Sequence, residues 1–110
     1  MDCLFCKIVA GEIPSKKVYE DENVLAFYDI EPKAPVHVLI IPKRHLAGVR
    51  DVTVDNSDAV AQVFAAIPTI AKTLGVTDYR IVSNNGADAG QTLQHLHFHL
   101  LSGRVLGEMG

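Results

Sequence analysis

Three histidines alternate with apolar residues near the end of the chain, in the run His95-Leu96-His97-Phe98-His99. Because successive side chains of a strand point to opposite faces, a strand over Thr92–Leu101 places all three imidazoles on one face and the apolar side chains in a core. Imidazoles that close together suit proton transfer, nucleophilic attack or metal binding. The alternative is a solvated strand face that carries histidine by chance. Three of the five histidines of the chain share this register, which favours the chemical interpretation.

A glycine-rich segment, Asn84–Thr92, directly precedes the histidines. Its glycines, Gly86 and Gly90, allow backbone N–H groups to turn toward a ligand, and such loops bind anions. Taken alone, the segment could equally be a hairpin loop. Its position before three histidines favours a phosphate site.

Two cysteines lie at the start of the chain, in Cys3-Leu4-Phe5-Cys6. The N-terminus lacks the layout of a signal peptide and no apolar stretch approaches the length of a membrane span, so we expect a cytoplasmic protein with no membrane partner. In a reducing cytoplasm the cysteines are thiols or metal ligands rather than a disulfide. A tetrahedral zinc site needs two further ligands besides two thiolates. The alternative to a metal site is a pair of reduced, partly buried thiols.

Length and charge restrict the class of protein. A chain of 110 residues predicts one domain over residues 1–110. The net charge is −3 and no run of Lys or Arg stands out, which argues against nucleic acid as a partner.

The hydrophobic pattern predicts an α+β domain with a mainly antiparallel sheet of about five strands and one long helix. Asp55 or Ser57 can cap this helix, which runs to about Leu74 with Gly75 after its end, and Pro68 is expected to kink it. The predicted strands are Lys17–Glu20, Val24–Asp29, Val36–Ile41, Tyr79–Ser83 and Thr92–Leu101, and a short helical segment covers Cys3–Glu12.

Several further motifs, combined with the histidines, resemble the nucleotide-binding branch of the histidine triad (HIT) superfamily in its bacterial form. These are Phe27–Ile30, Ala34–His37, Ile41–His45 and Gly90–Thr92. The resemblance extends over Cys3–Arg104. It implies a HIT-like fold whose sheet continues across a homodimer.

The resemblance also implies an activity, that of a purine nucleoside phosphoramidase or related nucleotide hydrolase. His97 would attack the α-phosphorus and form a nucleotidyl-histidine, which water cleaves to a nucleoside monophosphate. His99 would contact the phosphate. Thr92 stands where the family commonly has serine and keeps a hydroxyl near the leaving group.

The remaining family positions imply a binding site for a purine nucleotide. Asp29 would bind the ribose hydroxyls, with Ile30 beside it, and His37 matches a fourth histidine next to the triad. The phosphate ligands would be Asn84, Gly90, Gln91, Thr92, His97 and His99, and the base pocket would be Leu4, Phe5, Ile8, Phe27 and Leu39.

By the same resemblance, a structural zinc ion would be bound by Cys3, Cys6, His45 and His95, which removes His95 from catalysis. Three other functions are alternatives: a dinucleoside polyphosphate hydrolase, a non-catalytic nucleotide-binding regulatory module, and a catalytic metal site made of the three histidines. The sequence has no carboxylate ligand near the histidines, which argues against the catalytic metal site. The tail after Arg104 has no tryptophan, unlike that of animal relatives, so their leaving-group preference does not carry over.

Overall fold

The computed structural model describes residues 3–109 of the chain. The five strands form one antiparallel sheet in the order β1-β2-β3-β5-β4. The α+β prediction, with one main helix, is confirmed. In chain order the elements are α1 (Leu4–Val9), β1 (Lys17–Glu20), β2 (Val24–Tyr28), β3 (Val36–Pro42), α2 (Asp58–Leu74), β4 (Arg80–Val82) and β5 (Phe98–Ser102), with 3₁₀ turns at Val49–Asp51 and Ala87–Ala89.

The two faces of the sheet are covered by different elements. Val24 and Ala26 of β2 belong to the core that α2 covers, whereas Leu25 and Phe27 pack with the buried residues of α1. Because both faces are buried, the strand is a continuous apolar run rather than an alternating one. The face beneath α1 is the one that also carries the histidines.

The last strand is shorter than the predicted Thr92–Leu101. It begins at Phe98, so His95 and His97 precede it and only His99 lies within it. In the β3–β5 register, Ile40 pairs with Phe98, and continuing that register would set Pro42 opposite Leu96. Proline has no N–H to donate to a ladder, which is consistent with the pairing stopping there. The alternation nevertheless persists, because the intervening apolar side chains are buried in the core beneath α2.

Helix α2 begins at Asp58, slightly later than Asp55 and one residue beyond Ser57. Ser57 occupies the N-cap position, but its hydroxyl donates to the carbonyl of Val54 at 3.3 Å instead of capping the helix. The helix continues through Pro68, which is exposed, and Gly75 follows its end as predicted. Between residues 3 and 109, no helix has both the length and the apolar character that a membrane crossing requires.

Candidate functional site

A cavity of about 720 Å³ opens on the sheet face beside α1. It contains every residue predicted to contact substrate except Gln91: Leu4, Phe5, Ile8, Phe27, Asp29, Ile30, Leu39, Asn84, Gly90, Thr92, His97 and His99. His37 lines it as well. One sheet face, the first helix and the glycine-rich loop therefore bring together residues that are up to 95 positions apart, from Leu4 to His99.

His97 lies buried at the centre of this cavity wall. Its Nδ1 is 2.7 Å from the backbone carbonyl oxygen of His95. A carbonyl only accepts, so Nδ1 carries the ring proton, and in the neutral imidazole Nε2 then holds a free lone pair. Nε2 has no hydrogen-bond partner among residues 3–109. A neutral imidazole with one nitrogen anchored and the other available is a nucleophile ready for attack.

His99 belongs to a chain of hydrogen bonds that begins in the backbone. The amide of Lys33 donates to Nδ1 of His37 at 2.9 Å, and Nε2 of His37 lies 2.9 Å from Nδ1 of His99. Nε2 of His37 is also 3.4 Å from a carboxylate oxygen of Asp29. His37 must therefore be protonated at Nε2, and His99 accepts through Nδ1. The remaining nitrogen of His99, Nε2, carries a proton toward the cavity.

Burial controls the charge of these two imidazoles. It lowers the pKa of His99 to about 4, and repulsion from His97 and His37 adds to the effect, while Asp29 opposes it. Burial also lowers the pKa of His37, against the attraction of Asp29. Both rings are thus neutral at pH 7, which is the state that the hydrogen-bond chain requires.

Cys3, Cys6, His45 and His95 converge in a second group, here called the Cys/His cluster, whose four donor atoms all lie within 4.8 Å of one another. Nδ1 of His95 is 3.2 Å from Sγ of Cys3 and 3.6 Å from Sγ of Cys6. Nδ1 of His45 is 3.3 Å from Sγ of Cys6 and 3.1 Å from Nδ1 of His95. The cluster could hold a metal ion.

The donor set and its spacing fit a tetrahedral ion. Metal–sulfur bonds of about 2.3 Å and metal–nitrogen bonds of about 2.0 Å place tetrahedral ligands roughly 3.3–3.8 Å apart, close to the observed separations. Nε2 of His95 is 2.9 Å from the carbonyl oxygen of Pro42, so Nε2 is protonated and Nδ1 presents its lone pair to the cluster. Burial, reinforced by Cys3, raises the pKa of the Cys6 thiol to about 11. A bound cation would reverse that effect and favour the thiolate.

The glycine-rich loop differs from its prediction at two of its residues. The backbone N–H groups of Gly90 and Gln91 donate inside the loop, to the carbonyls of Ala87 at 3.0 Å and Gly86 at 3.1 Å. They are therefore not directed at a phosphate. Thr92 lines the cavity, and neither its amide nor its hydroxyl is hydrogen-bonded within residues 3–109.

The side chain of Gln91 is buried and does not line the cavity. Its amide nitrogen donates to the carbonyls of Ala47 at 2.7 Å and Leu93 at 2.9 Å, and its oxygen accepts from the N–H of Gly86 at 2.8 Å. In this structure the side chain fixes the shape of the loop, and its contact with phosphate stays a prediction. The residue type alone does not distinguish these two uses of an amide.

Gly86 and Gly90 flank the 3₁₀ turn of the loop with φ angles of +92° and +95°. Side chains rarely adopt this conformation, so glycine at these positions lets the loop reverse direction beside the cavity. The side chain of Asn84 donates to the carbonyl of Ala89 at 2.6 Å and crosses the loop. Asn84 lines the cavity while holding the loop closed.

The end of the cavity opposite the loop is apolar. Phe5 is 3% exposed and packs edge-on against the rings of Phe27, His95 and His97. Ile30, by contrast, is 94% exposed at the cavity rim. The apolar floor suits the flat surface of a nucleobase, and the rim residue remains open to solvent.

Sequence reasoning missed the backbone groups that define the site. The carbonyls of Pro42 and His95 and the amide of Lys33 each fix the tautomer of a histidine, but backbone atoms leave no signal in residue type. Further side chains that line the cavity were also not predicted. They are Pro14, Ser15, Lys16, Tyr28, Glu31, Lys33, Val82, Leu93 and Leu101.

Comparison with known proteins identifies the family. Residues 10–106 match the HIT domain. The chain belongs to the HIT family. Among solved structures, this HIT chain is similar to a HIT family hydrolase from Clostridium thermocellum, with a TM-score of 0.94 and 46% identity over 98% of this chain and 96% of the other. It is also similar to a histidine triad protein from Clostridium difficile, with a TM-score of 0.95 and 46% identity over 100% and 97% of the two chains.

This HIT protein is also similar to a protein of Escherichia coli that is named purine nucleoside phosphoramidase. The two are 41% identical over 110 residues, which span 98% of this chain and 92% of the relative. The resemblance inferred from the motifs is therefore confirmed at the level of the family.

Proposed function

We propose that this HIT protein is a nucleotide hydrolase that acts on purine nucleoside phosphoramidates through a covalent intermediate on His97. The observation that carries the proposal is the hydrogen bond from Nδ1–H of His97 to the carbonyl of His95, which leaves the Nε2 lone pair at the cavity wall. The name of the Escherichia coli relative supports the substrate class. The net charge of −3 argues against nucleic acid as a competing partner.

The reaction divides one displacement into two steps. Nε2 of His97 forms a bond to the α-phosphorus as the phosphorus–nitrogen bond of the substrate breaks, and the leaving amine takes up a proton from solvent. The Thr92 hydroxyl would hydrogen-bond the leaving group, and Nε2–H of His99 would hydrogen-bond the phosphoryl oxygens. Water then attacks the phosphorus and breaks its bond to Nε2, which releases the nucleoside monophosphate, returns a proton to solvent and restores neutral His97.

The cavity supplies a binding position for each part of the nucleotide. The carboxylate of Asp29 accepts hydrogen bonds from the ribose hydroxyls beside Ile30. The base packs in the apolar end, against Leu4, Phe5, Ile8, Phe27 and Leu39. Asn84, Gly90 and Thr92 border the phosphate, and Gln91 shapes the loop that holds them.

A trapped intermediate tests the proposal. Protein mixed with adenosine phosphoramidate is quenched in alkali, because phosphorus–nitrogen bonds are acid-labile, and its intact mass is measured. We expect a mass increase equal to one adenylyl group in the wild type and in Gln94→Ala, an exposed position in the same segment. His97→Ala should form no adduct, turn over at least about 100-fold more slowly and still bind adenosine monophosphate.

Other outcomes of this experiment identify the other candidate functions. Adduct formation with a diadenosine polyphosphate but not with a phosphoramidate would identify a dinucleoside polyphosphate hydrolase. Nucleotide binding without turnover would identify a regulatory module. Retention of more than about a tenth of the activity by His97→Ala, only ~1.4 kcal/mol of barrier, would contradict the assignment of the nucleophile.

We also assign zinc to the Cys/His cluster. Thiolate and imidazole are the ligands that zinc prefers, and four protein ligands leave no open coordination position for substrate, which is the arrangement of a structural ion. The ligands would be Cys3, Cys6, His45 and His95. The bound ion would cross-link α1 to the segment before β5. Reduced cysteines in this arrangement suit the cytoplasm.

A homodimer is part of the proposal. β4 is a three-residue strand at the edge of the sheet, where it can pair with a second copy. Phe64 on α2 is 49% exposed and Tyr79, which precedes β4, is 36% exposed. Their burial against a partner would continue the sheet across a two-fold axis. Light scattering at micromolar concentration should give twice the mass of the chain, and a monomer mass would reject the dimer.

A further inference from the structure

One imidazole in the cavity has two competing acceptors. The amide of Lys33 donates to Nδ1 of His37, so the single ring proton of neutral His37 is on Nε2. Nε2 faces Nδ1 of His99 at 2.9 Å and a carboxylate oxygen of Asp29 at 3.4 Å. One N–H group therefore serves two acceptors on two different elements.

The two acceptors have different consequences for His99. When His37 donates to His99, Nδ1 of His99 is an acceptor and Nε2 is protonated. When the His37 ring turns so that Nε2–H points at Asp29 instead, its contact with Nδ1 of His99 is lost. His99 can then also adopt the tautomer with the proton on Nδ1, which at 2.9 Å from the Nε2–H of His37 would place two N–H groups against each other. In that tautomer Nε2 has no proton to offer a phosphoryl oxygen.

Asp29 is the acceptor that a substrate can occupy. Its carboxylate side chain is 19% exposed and lines the cavity, whereas His37 is 3% exposed. The other carboxylate oxygen, Oδ1, accepts from the backbone N–H of Glu31 at 2.8 Å, which holds the carboxylate in place. Two vicinal hydroxyls that donate to Asp29 would disperse its negative charge and weaken its attraction for the N–H of His37.

We propose that the ribose hydroxyls of the substrate increase turnover through His37, by engaging Asp29 so that the His37 N–H is committed to His99. This inference rests on the proposed function and deepens it. His37 is then a positioning residue. Asp29 binds the sugar and, through His37, influences the tautomer of His99, which contacts the phosphate. The site would discriminate a ribonucleotide from a dideoxynucleotide in the chemical step as well as in binding.

The geometry offers a matched pair of variants at His37. Asparagine retains an acceptor near the Nδ1 position for the amide of Lys33, but has no group at the Nε2 position. Glutamine reaches the Nε2 position with an N–H donor. Gln94→Ala is the control, because Gln94 is exposed and does not line the cavity.

The experiment compares kcat for adenosine phosphoramidate and its 2′,3′-dideoxy analogue. We expect the ribose substrate to turn over about 10-fold faster in the wild type and in Gln94→Ala, the scale of one hydrogen bond to a charged group. In His37→Asn the two kcat values should agree within about 2-fold, although KM still favours ribose, and His37→Gln should restore part of the ratio. An undiminished kcat ratio in a folded His37→Asn protein, or no ratio in the wild type, would overturn the proposal.

A second readout does not depend on turnover. Nitrogen-15 NMR of the imidazoles distinguishes protonated from unprotonated ring nitrogens. Adding adenosine monophosphate should fix His99 as the Nε2–H tautomer, while the dideoxy nucleotide should leave a mixture. Equal tautomer populations with both nucleotides would overturn the inference even where the enzyme is active. Loss of wild-type turnover and of nucleotide binding together would instead refute the proposed function on which the inference rests.

Discussion

The ring of Phe5 meets the ring of His97 edge-on, with centroids 5.3 Å apart and an interplanar angle of 85°. Phe5 lies between Cys3 and Cys6 in the sequence and is buried in the apolar end of the cavity. One aromatic side chain thus touches the proposed nucleophile, His97, while its neighbours in the chain contribute to the Cys/His cluster. The cluster and the cavity share a wall.

Replacing Phe5 by leucine should therefore weaken nucleotide binding and slow turnover together. The substitution removes edge-on contacts to His97 and Phe27, and such aromatic pairs contribute about 0.5–1.5 kcal/mol each beyond their burial. We expect KM to rise several-fold and kcat to fall. Gln94→Ala is the control, because Gln94 is exposed and does not line the cavity. Equal kinetics for both variants would separate Phe5 from the site.

Removing the two thiolates tests the metal. The double variant Cys3→Ser, Cys6→Ser should lose bound zinc and unfold at a temperature lower by about 10 °C, because metal binding to the folded state contributes directly to its stability. Nucleotide affinity should fall, since α1 carries part of the proposed base pocket, while some turnover remains. The measurements are elemental analysis and thermal melts with and without a chelator.

Two results would contradict the structural role of zinc. The first is wild-type protein without stoichiometric zinc after growth in zinc-replete medium. The second is complete loss of chemistry in a double variant that remains folded and binds nucleotide, because the ion would then act in the reaction.

The placement of the triad follows from local pattern. Alternation of apolar side chains indicated which faces the histidines and the core residues occupy, and this held although the strand begins only at Phe98. The burial of Leu96 and Leu100 beneath α2 keeps the histidines on the opposite face, even where the hydrogen bonds between β3 and β5 have ended. The start of the strand is set by pairing with β3, whose last paired residue, Ile40, is more than 50 positions away in the sequence.

Other features of the site could not be read from the sequence. The tautomers of His37, His95 and His97 each depend on a backbone group, and every residue has such groups. Gln91 was ambiguous for a related reason. An amide side chain can bind a phosphate or replace missing backbone partners, and only the neighbouring carbonyls of Ala47 and Leu93 decide between these uses.

Gln91→Glu tests whether this side chain stabilises the loop. Glutamate has the same shape but no N–H donor, so the carbonyls of Ala47 and Leu93 each lose a hydrogen bond and face a carboxylate. We expect the free energy of unfolding to fall by about 2 kcal/mol or more, with a loss of kcat/KM because the loop shifts. Gln94→Glu, at an exposed position in the same segment, is the matched control. Full stability of Gln91→Glu with reduced nucleotide affinity would restore the direct phosphate contact.

Acid should destabilise the protein through His99. Its pKa in the folded state is lowered to about 4, chiefly by burial, whereas an unfolded histidine titrates at about 6.5. Between these values the unfolded chain binds more protons than the folded one, so the contribution of neutral His99 is fully present above about pH 6.5 and is lost as the pH falls toward about 4. His37 and His97, which face His99, add to the repulsion of a proton there, and Asp29 opposes it.

Thermal melts of the wild type and of His99→Gln between pH 7.5 and pH 5 isolate this effect. Glutamine does not titrate, so its melting temperature should decline less steeply over this range than that of the wild type. Acid also weakens any metal bound at the Cys/His cluster, but His99 is not part of that cluster and the effect is common to both proteins. Parallel melting profiles would show that His99 does not titrate differently in the folded and unfolded states, and would contradict the burial of its neutral form.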